Sequence, residues 1–164
     1  MANTIEYEHS DIVKAMAQSL IEDHHKRLQG ANIAYVLRLG PWQNKGQLTL
    51  GSAKKCSALE KFLTGYDFIM QINSDAWYAA NGVPNGIEWR KGLIDHELMH
   101  MGKNEEGDWT TYPHDYTVFK QEIVRHGAWK EDMRELIEAA VAAKGQMSFL
   151  GQGGQAGPGL RAVK

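Results

Sequence analysis

The chain predicts an α+β fold: a first helix, a small, mostly antiparallel sheet of about three strands, a main helix packed on one face of that sheet, and two closing helices. Three observations carry this. Apolar residues recur at helical spacing after Ser10, switch to a period of two from Ile33 to Leu39, and return to helical spacing beyond the turn-rich NGVPNG at 81–86. At 164 residues the chain is the size of one ordinary domain, which buries roughly two thirds of the surface its unfolded form exposes.

Ser10 reads as an N-cap, and Ile12, Val13, Met16, Leu20, Ile21 and Leu28 continue an amphipathic run that Gly30 closes. Ile33, Tyr35, Leu37 and Leu39 then alternate with Ala34, Val36 and Arg38, as in a strand with one buried face. A second alternation from Gln47 to Ser52 follows the turn PWQNKG, so the two strands are expected to form a hairpin. Ser57 to Leu63 suits a short helix. Phe68, Met70 and Ile72 mark a third strand, and a helical piece spans about Asp75 to Ala80. Asn85 with Glu88 three positions on is a capping-box arrangement that opens a helix to about Met101. GKNEEGDWTTY reads as a loop. Pro113 starts another helix, which runs through Phe119 and Ile123 to Gly127, and the last helix covers about Lys130 to Ala143. The expected organisation is one domain over 1–144 and a flexible Gly-rich tail over 145–164, where GQGGQAGPG carries no apolar periodicity to offset the entropy of ordering.

Composition narrows the function. A net charge of -2 and a pI near 6.4 argue against the broad basic surface that supplies nonspecific nucleic-acid affinity. No apolar run approaches the roughly 18 residues of a membrane span. The start MANTIEYEHSDIVK lacks a basic segment followed by an apolar one, so a cytoplasmic address is expected. Cys56 is the only cysteine, which excludes an intramolecular disulfide and leaves a Cys-based zinc site short of ligands.

Residues 96 to 100 read His-Glu-Leu-Met-His, an HExxH motif. Positions i and i+4 lie one helical turn apart on one face, so His96 and His100 can reach the same Zn2+. Glu97 beside them suits a general base that takes a proton from a water acidified by the metal. With seven His in the chain, composition alone predicts only about 0.02 such motifs. A hydrolytic zinc site keeps three protein ligands and a water. The extended metzincin pattern fails, because Lys103 and Glu106 stand where it needs Gly and His. His114 is favoured over Glu122, because His is the commonest zinc ligand and a helix start can be aimed back at the motif; Glu105, Glu106 and His126 are further candidates. A capping or core role accounts for His114 equally well at this point. Asp95 and Asp115 are candidates for orienting imidazoles, and Tyr112 or Tyr116 for donating to an oxyanion. His24 and His25 are adjacent, point about 100° apart on a helix, and read as solvated.

The stretches LTGYDFIMQINSDAW, LIDHELMH, Trp109, HDYTVF and IVRHGAW resemble the phage metallopeptidase family, small zincin-like proteins similar to the SprT-like proteases; the resemblance covers roughly residues 30 to 132. It implies a minimal zincin-like fold, a peptide or protein substrate and, in the His that opens HDYTVF, a third zinc ligand at His114. Thr117 and Val118 depart from the acidic residues often found there, though neither is a proposed ligand. The expected function is a zinc-dependent hydrolase, a metallopeptidase with His96, His100 and His114 on the metal and Glu97 as base. The alternative is a zinc-stabilised noncatalytic phage or prophage protein that binds a host component. Glu97 speaks against it, since a structural zinc site has no use for a base.

Overall fold

Ser10 caps the first helix as its position predicts: its Oγ accepts from the Val13 amide at 3.3 Å and opens α1 (Asp11–Asp23). The computed structural model describes residues 4–114 and 131–150. Their contacts group the chain into two units, Met1–Pro113 and His114–Lys164. The first holds strand β1 (Glu6–His9), α1, β2 (Ile33–Leu39), the short pair β3 (Gln43–Asn44) and β4 (Gln47–Leu48), β5 (Gly51–Lys55), α2 (Ala58–Thr64), β6 (Phe68–Asn73), α3 (Ser74–Ala79), α4 (Gly86–Met99), β7 (Met101–Lys103) and β8 (Trp109–Thr111). In the second, α5 covers Glu131–Leu150.

The fold class is α+β, but the sheet differs from the expected three strands. It has four, in the order β1-β2-β6-β5, and it is mixed: the outer pairings are antiparallel and the central β2–β6 pairing is parallel. The extra strand is β1, whose Glu-Tyr-Glu-His is exposed throughout. Main-chain pairing rather than apolar burial holds it, so hydrophobic periodicity gives no sign of it.

The expected hairpin between β2 and the next strand does not form. Both edges of β2 are taken, by β1 and by β6, so β5 pairs with β6 instead, from Gly51 opposite Ile72 to Lys55 opposite Phe68. Gln43 to Leu48 closes a small hairpin of its own, with Lys45 and Gly46 at φ 49° and 79° in the two-residue loop, the left-handed pair of a type I′ turn.

The parallel register sets Ile33 beside Phe68, Tyr35 beside Met70 and Leu37 beside Ile72. These six form the sheet's share of one core, which α1 completes with Val13 and Ala17, and α4 with Ile94 and Leu98. α1 ends at Asp23 rather than at Gly30. Leu28 still reaches the core, but from a 3-10 turn (Lys26–Leu28). At the other end of the chain, α5 continues through Gly145 to Leu150, past the expected end near Ala143. One helical glycine costs only about 1 kcal/mol against alanine, too little to stop a helix without a left-handed cap or a proline.

Candidate metal centre

Helix α4 is anchored by its second half. Ile94 and Leu98 are fully buried, as is Met101 just beyond it, and Leu93 packs against the same core, whereas Ile87 in the first turn is exposed. Burying each such side chain stabilises the fold by roughly 1.5–3 kcal/mol, so the turn that carries the motif is the rigid one. The expected capping box is not made. Asn85 lies in the left-handed region at φ 62° without a side-chain cap bond, and Glu88 pairs with Lys91 at 3.2 Å. A side-chain cap needs an extended backbone. Here the Asn-Gly step serves close approach instead, since a Cβ on Gly86 would sit 1.8 Å from the Ala80 carbonyl oxygen.

His96 lies in the last turn of α4, and His100 follows its last residue with backbone angles still helical, φ -69° and ψ -14°. The i, i+4 relation therefore survives the helix end, and the two rings stand edge to face with centroids 5.0 Å apart. Next comes a hairpin where a loop was expected. Strands β7 and β8 pair antiparallel, and the Asn104 side chain closes their turn by accepting from the Asp108 amide at 2.7 Å. Its Gly107 sits at φ 86°. That Asn-to-Gly turn was the available signal, masked by the shortness of strands of three residues each.

The hairpin brings Tyr112 back to the motif. The Tyr112 amide donates to the His100 carbonyl at 2.7 Å, and His100 Nδ1 lies 2.7 Å from the Tyr112 carbonyl. A carbonyl only accepts, so Nδ1 carries the proton and the lone pair falls on Nε2, the tautomer a metal requires of that atom. Two residues on stands His114. One ligand-capable atom from each of His96, His100 and His114 lies within 4.8 Å of the others. Tetrahedral ligation with Zn–N of 2.0–2.1 Å sets nitrogens about 3.3 Å apart, so modest ring rotation closes such a site. Three imidazoles suit zinc, copper, iron or nickel far better than calcium or magnesium. His96 and His114 are exposed and His100 is half-buried.

Glu97 points the other way in burial: it is 4% exposed. Burial raises its carboxyl to about 7, with His100 pulling in the opposite direction. The side chain lies against Gly51 at the start of β5. A Cβ there would fall 2.6 Å from Oε1 and 3.1 Å from Cγ of Glu97, so the missing side chain of Gly51 is the space the carboxylate uses.

A family model described as Putative phage metallopeptidase matches residues 5–141. The chain belongs to this family. A family of that description implies protein or peptide substrates, and the chain's three-His cluster could hold a metal ion. No match to the chain was found among curated proteins or among solved structures. No helix among the described residues is long and apolar enough to cross a membrane.

Other residues singled out from the sequence of this family member fall differently. Asp95 does orient an imidazole, but that of His25, whose Nε2 lies 2.6 Å from Asp95 Oδ1. His25 is not solvated; it is 4% exposed, while its neighbour His24 is exposed. No local pattern marks a histidine that turns inward to meet a helix 70 residues away. Tyr112 is not poised for an oxyanion, because its hydroxyl donates to the Lys103 carbonyl across the hairpin. Glu105 and Glu106 sit exposed in the β7–β8 turn, outside the cluster. Asp115, Tyr116, Glu122 and His126 lie outside the described residues.

Proposed function

We propose that the chain is a zinc-dependent metallopeptidase in which His96, His100 and His114 hold one zinc ion and Glu97 is the general base. The observation that carries this reading is the convergence of three histidine ligand atoms within 4.8 Å beside a buried carboxylate. Zinc held by these histidines would supply Lewis acidity and would make a water beside it more acidic. The protein's own part is then proton handling. Glu97, whose carboxyl titrates near neutrality, accepts a proton from the attacking water and returns it to the leaving amine, since a base works best with a pKa close to the working pH. A cation at the histidines favours its carboxylate form.

The sheet order supports the reading of an extended substrate. β5 is the last strand in the sheet order and begins at Gly51, against Glu97. A peptide pairing along its outer edge would run past the carboxylate, gaining affinity from main-chain hydrogen bonds with little demand on sequence.

The test combines metal analysis of the purified protein with a broad peptide-cleavage screen of wild type and Glu97→Gln. One zinc per chain is expected in both. Cleavage should fall in the variant by about 10² to 10⁴-fold, the usual contribution of a general base. Equal cleavage would remove Glu97 from the mechanism; zinc binding with no cleavage by wild type would favour the noncatalytic binding protein.

A further inference from the structure

The geometry points to Arg27 as the residue that positions His100 for metal binding, an inference that rests on His100 being a ligand. α4 ends at Met99 and β7 begins at Met101, so His100 alone makes the junction from helix to strand. At that junction the His100 amide donates to the Leu98 carbonyl, and the His100 carbonyl accepts from the Tyr112 amide. The junction has no glycine cap, and the last four carbonyls of any helix lack i+4 partners within it. Arg27 reaches two of these and the first residue of β7: Nη2 donates to the carbonyls of Leu98 at 3.2 Å and Met99 at 3.5 Å, and Nε donates to the Met101 carbonyl at 3.0 Å. One planar guanidinium thus grips the main chain on both sides of His100. The ring itself is held separately, by the Tyr112 carbonyl.

Arg27 is well founded for this role. It sits in the 3-10 turn between buried His25 and Leu28, and His25 grips α4 through Asp95. The segment after α1 is therefore fastened to the motif helix at Asp95 and again at its end. A lysine has one point charge and no rigid fork, so it cannot hold carbonyls on both sides at once.

Two physical effects oppose each other and can be separated. If Arg27 acts by position, losing it weakens metal binding. If it acted only by charge, its loss would restore the negative potential of the helix end and strengthen cation binding. The experiment measures Zn2+ affinity by competition with a chromophoric chelator, and the visible spectrum of the Co2+-loaded protein, for wild type, Arg27→Ala, Arg27→Gln and Arg27→Lys. Arg90→Ala is the control. It removes hydrogen bonds to the Trp77 carbonyl and to Asn81, at the opposite end of α4 from His100.

Arg27→Ala and Arg27→Gln should bind zinc about 10- to 100-fold more weakly, the usual loss when an outer partner of a ligand is removed. Arg27→Lys should recover part of that loss, and the cobalt spectrum should broaden in all three. Arg90→Ala should match wild type. Zinc affinity within twofold of wild type, or tighter, in folded Arg27→Gln or Arg27→Lys would overturn the assignment, as would an equal loss in Arg90→Ala. Should wild type itself bind neither ion, the metal reading fails first and takes this inference with it.

Discussion

Replacing Gly51 with alanine adds one methyl group, and its expected position is known from the backbone: 2.6 Å from Oε1 of Glu97, 3.0 Å from Cδ and 3.1 Å from Cγ. Comfortable contacts of this kind begin near 3.4 Å, so the carboxylate must withdraw by about 0.8 Å. Retreat is constrained, because Glu97 is buried and its helix turn is fixed by Ile94 and Leu98. A displacement of about 1 Å in a catalytic group can cost on the order of 10²-fold in rate. Gly51→Ala should therefore lower kcat by about that factor. Its strain should cost roughly 1–3 kcal/mol of stability, as overpacking usually does. None of the three histidines touches the new methyl among its nearest neighbours, so zinc content should stay at one per chain. The assay is turnover of a cleavable peptide at saturating concentration, alongside elemental analysis and a melting curve. Wild-type kcat in a zinc-loaded Gly51→Ala protein would refute the reasoning, because the carboxylate would then be shown not to act from the place Gly51 leaves for it.

Removing the metal by dialysis against chelator should lower Tm by about 5 to 10 °C, since a ligand at 100 times its dissociation constant adds about 2.7 kcal/mol and a domain of this size shifts roughly 2–4 °C per kcal/mol. The drop should vanish in His114→Ala; if Glu122→Ala abolishes it instead, the third ligand is Glu122. The metal-free protein should also lose stability as pH rises. The Glu97 carboxyl goes from 4.5 to about 7 on folding, so between those values the folded state holds a proton that the unfolded state has released. Stability is then full below pH 4.5 and falls through pH 7, by on the order of 3 kcal/mol. Denaturant titrations of the apo protein at pH 5 and pH 8 should show this, and apo Glu97→Gln should lack that component; a slope unchanged by the substitution would assign it elsewhere.

The site was legible in proportion to how local it is. The closeness of His96 and His100 was readable because helical geometry alone puts i and i+4 on one face. His114 needed more. Its proximity to the motif comes from the β7–β8 hairpin, whose short strands left almost no periodicity to read, and Tyr112 was noticed for a hydroxyl that is spent on Lys103 while its carbonyl holds His100. Gly51 and Arg27 were not readable at all. A glycine opening a strand and an arginine after a helix look the same whether or not a carboxylate or a helix end comes to meet them.

By itself the sequence determined the α+β class, the capped first helix, the alternating strands β2 and β6, and a helix whose spacing brings His96 and His100 together. These depend on side chains within a few residues of one another, where periodicity and capping act directly. Only the tertiary structure decided that β5 pairs with β6 rather than β2, that charged β1 joins the sheet, that His25 is buried, and that Gly51 and Arg27 face Glu97 and the end of α4. The reason is that strand pairing and helix-end capping use main-chain amides and carbonyls, which every residue except proline supplies in the same form; which ones meet is settled by the competition for edges and buried space across the whole fold.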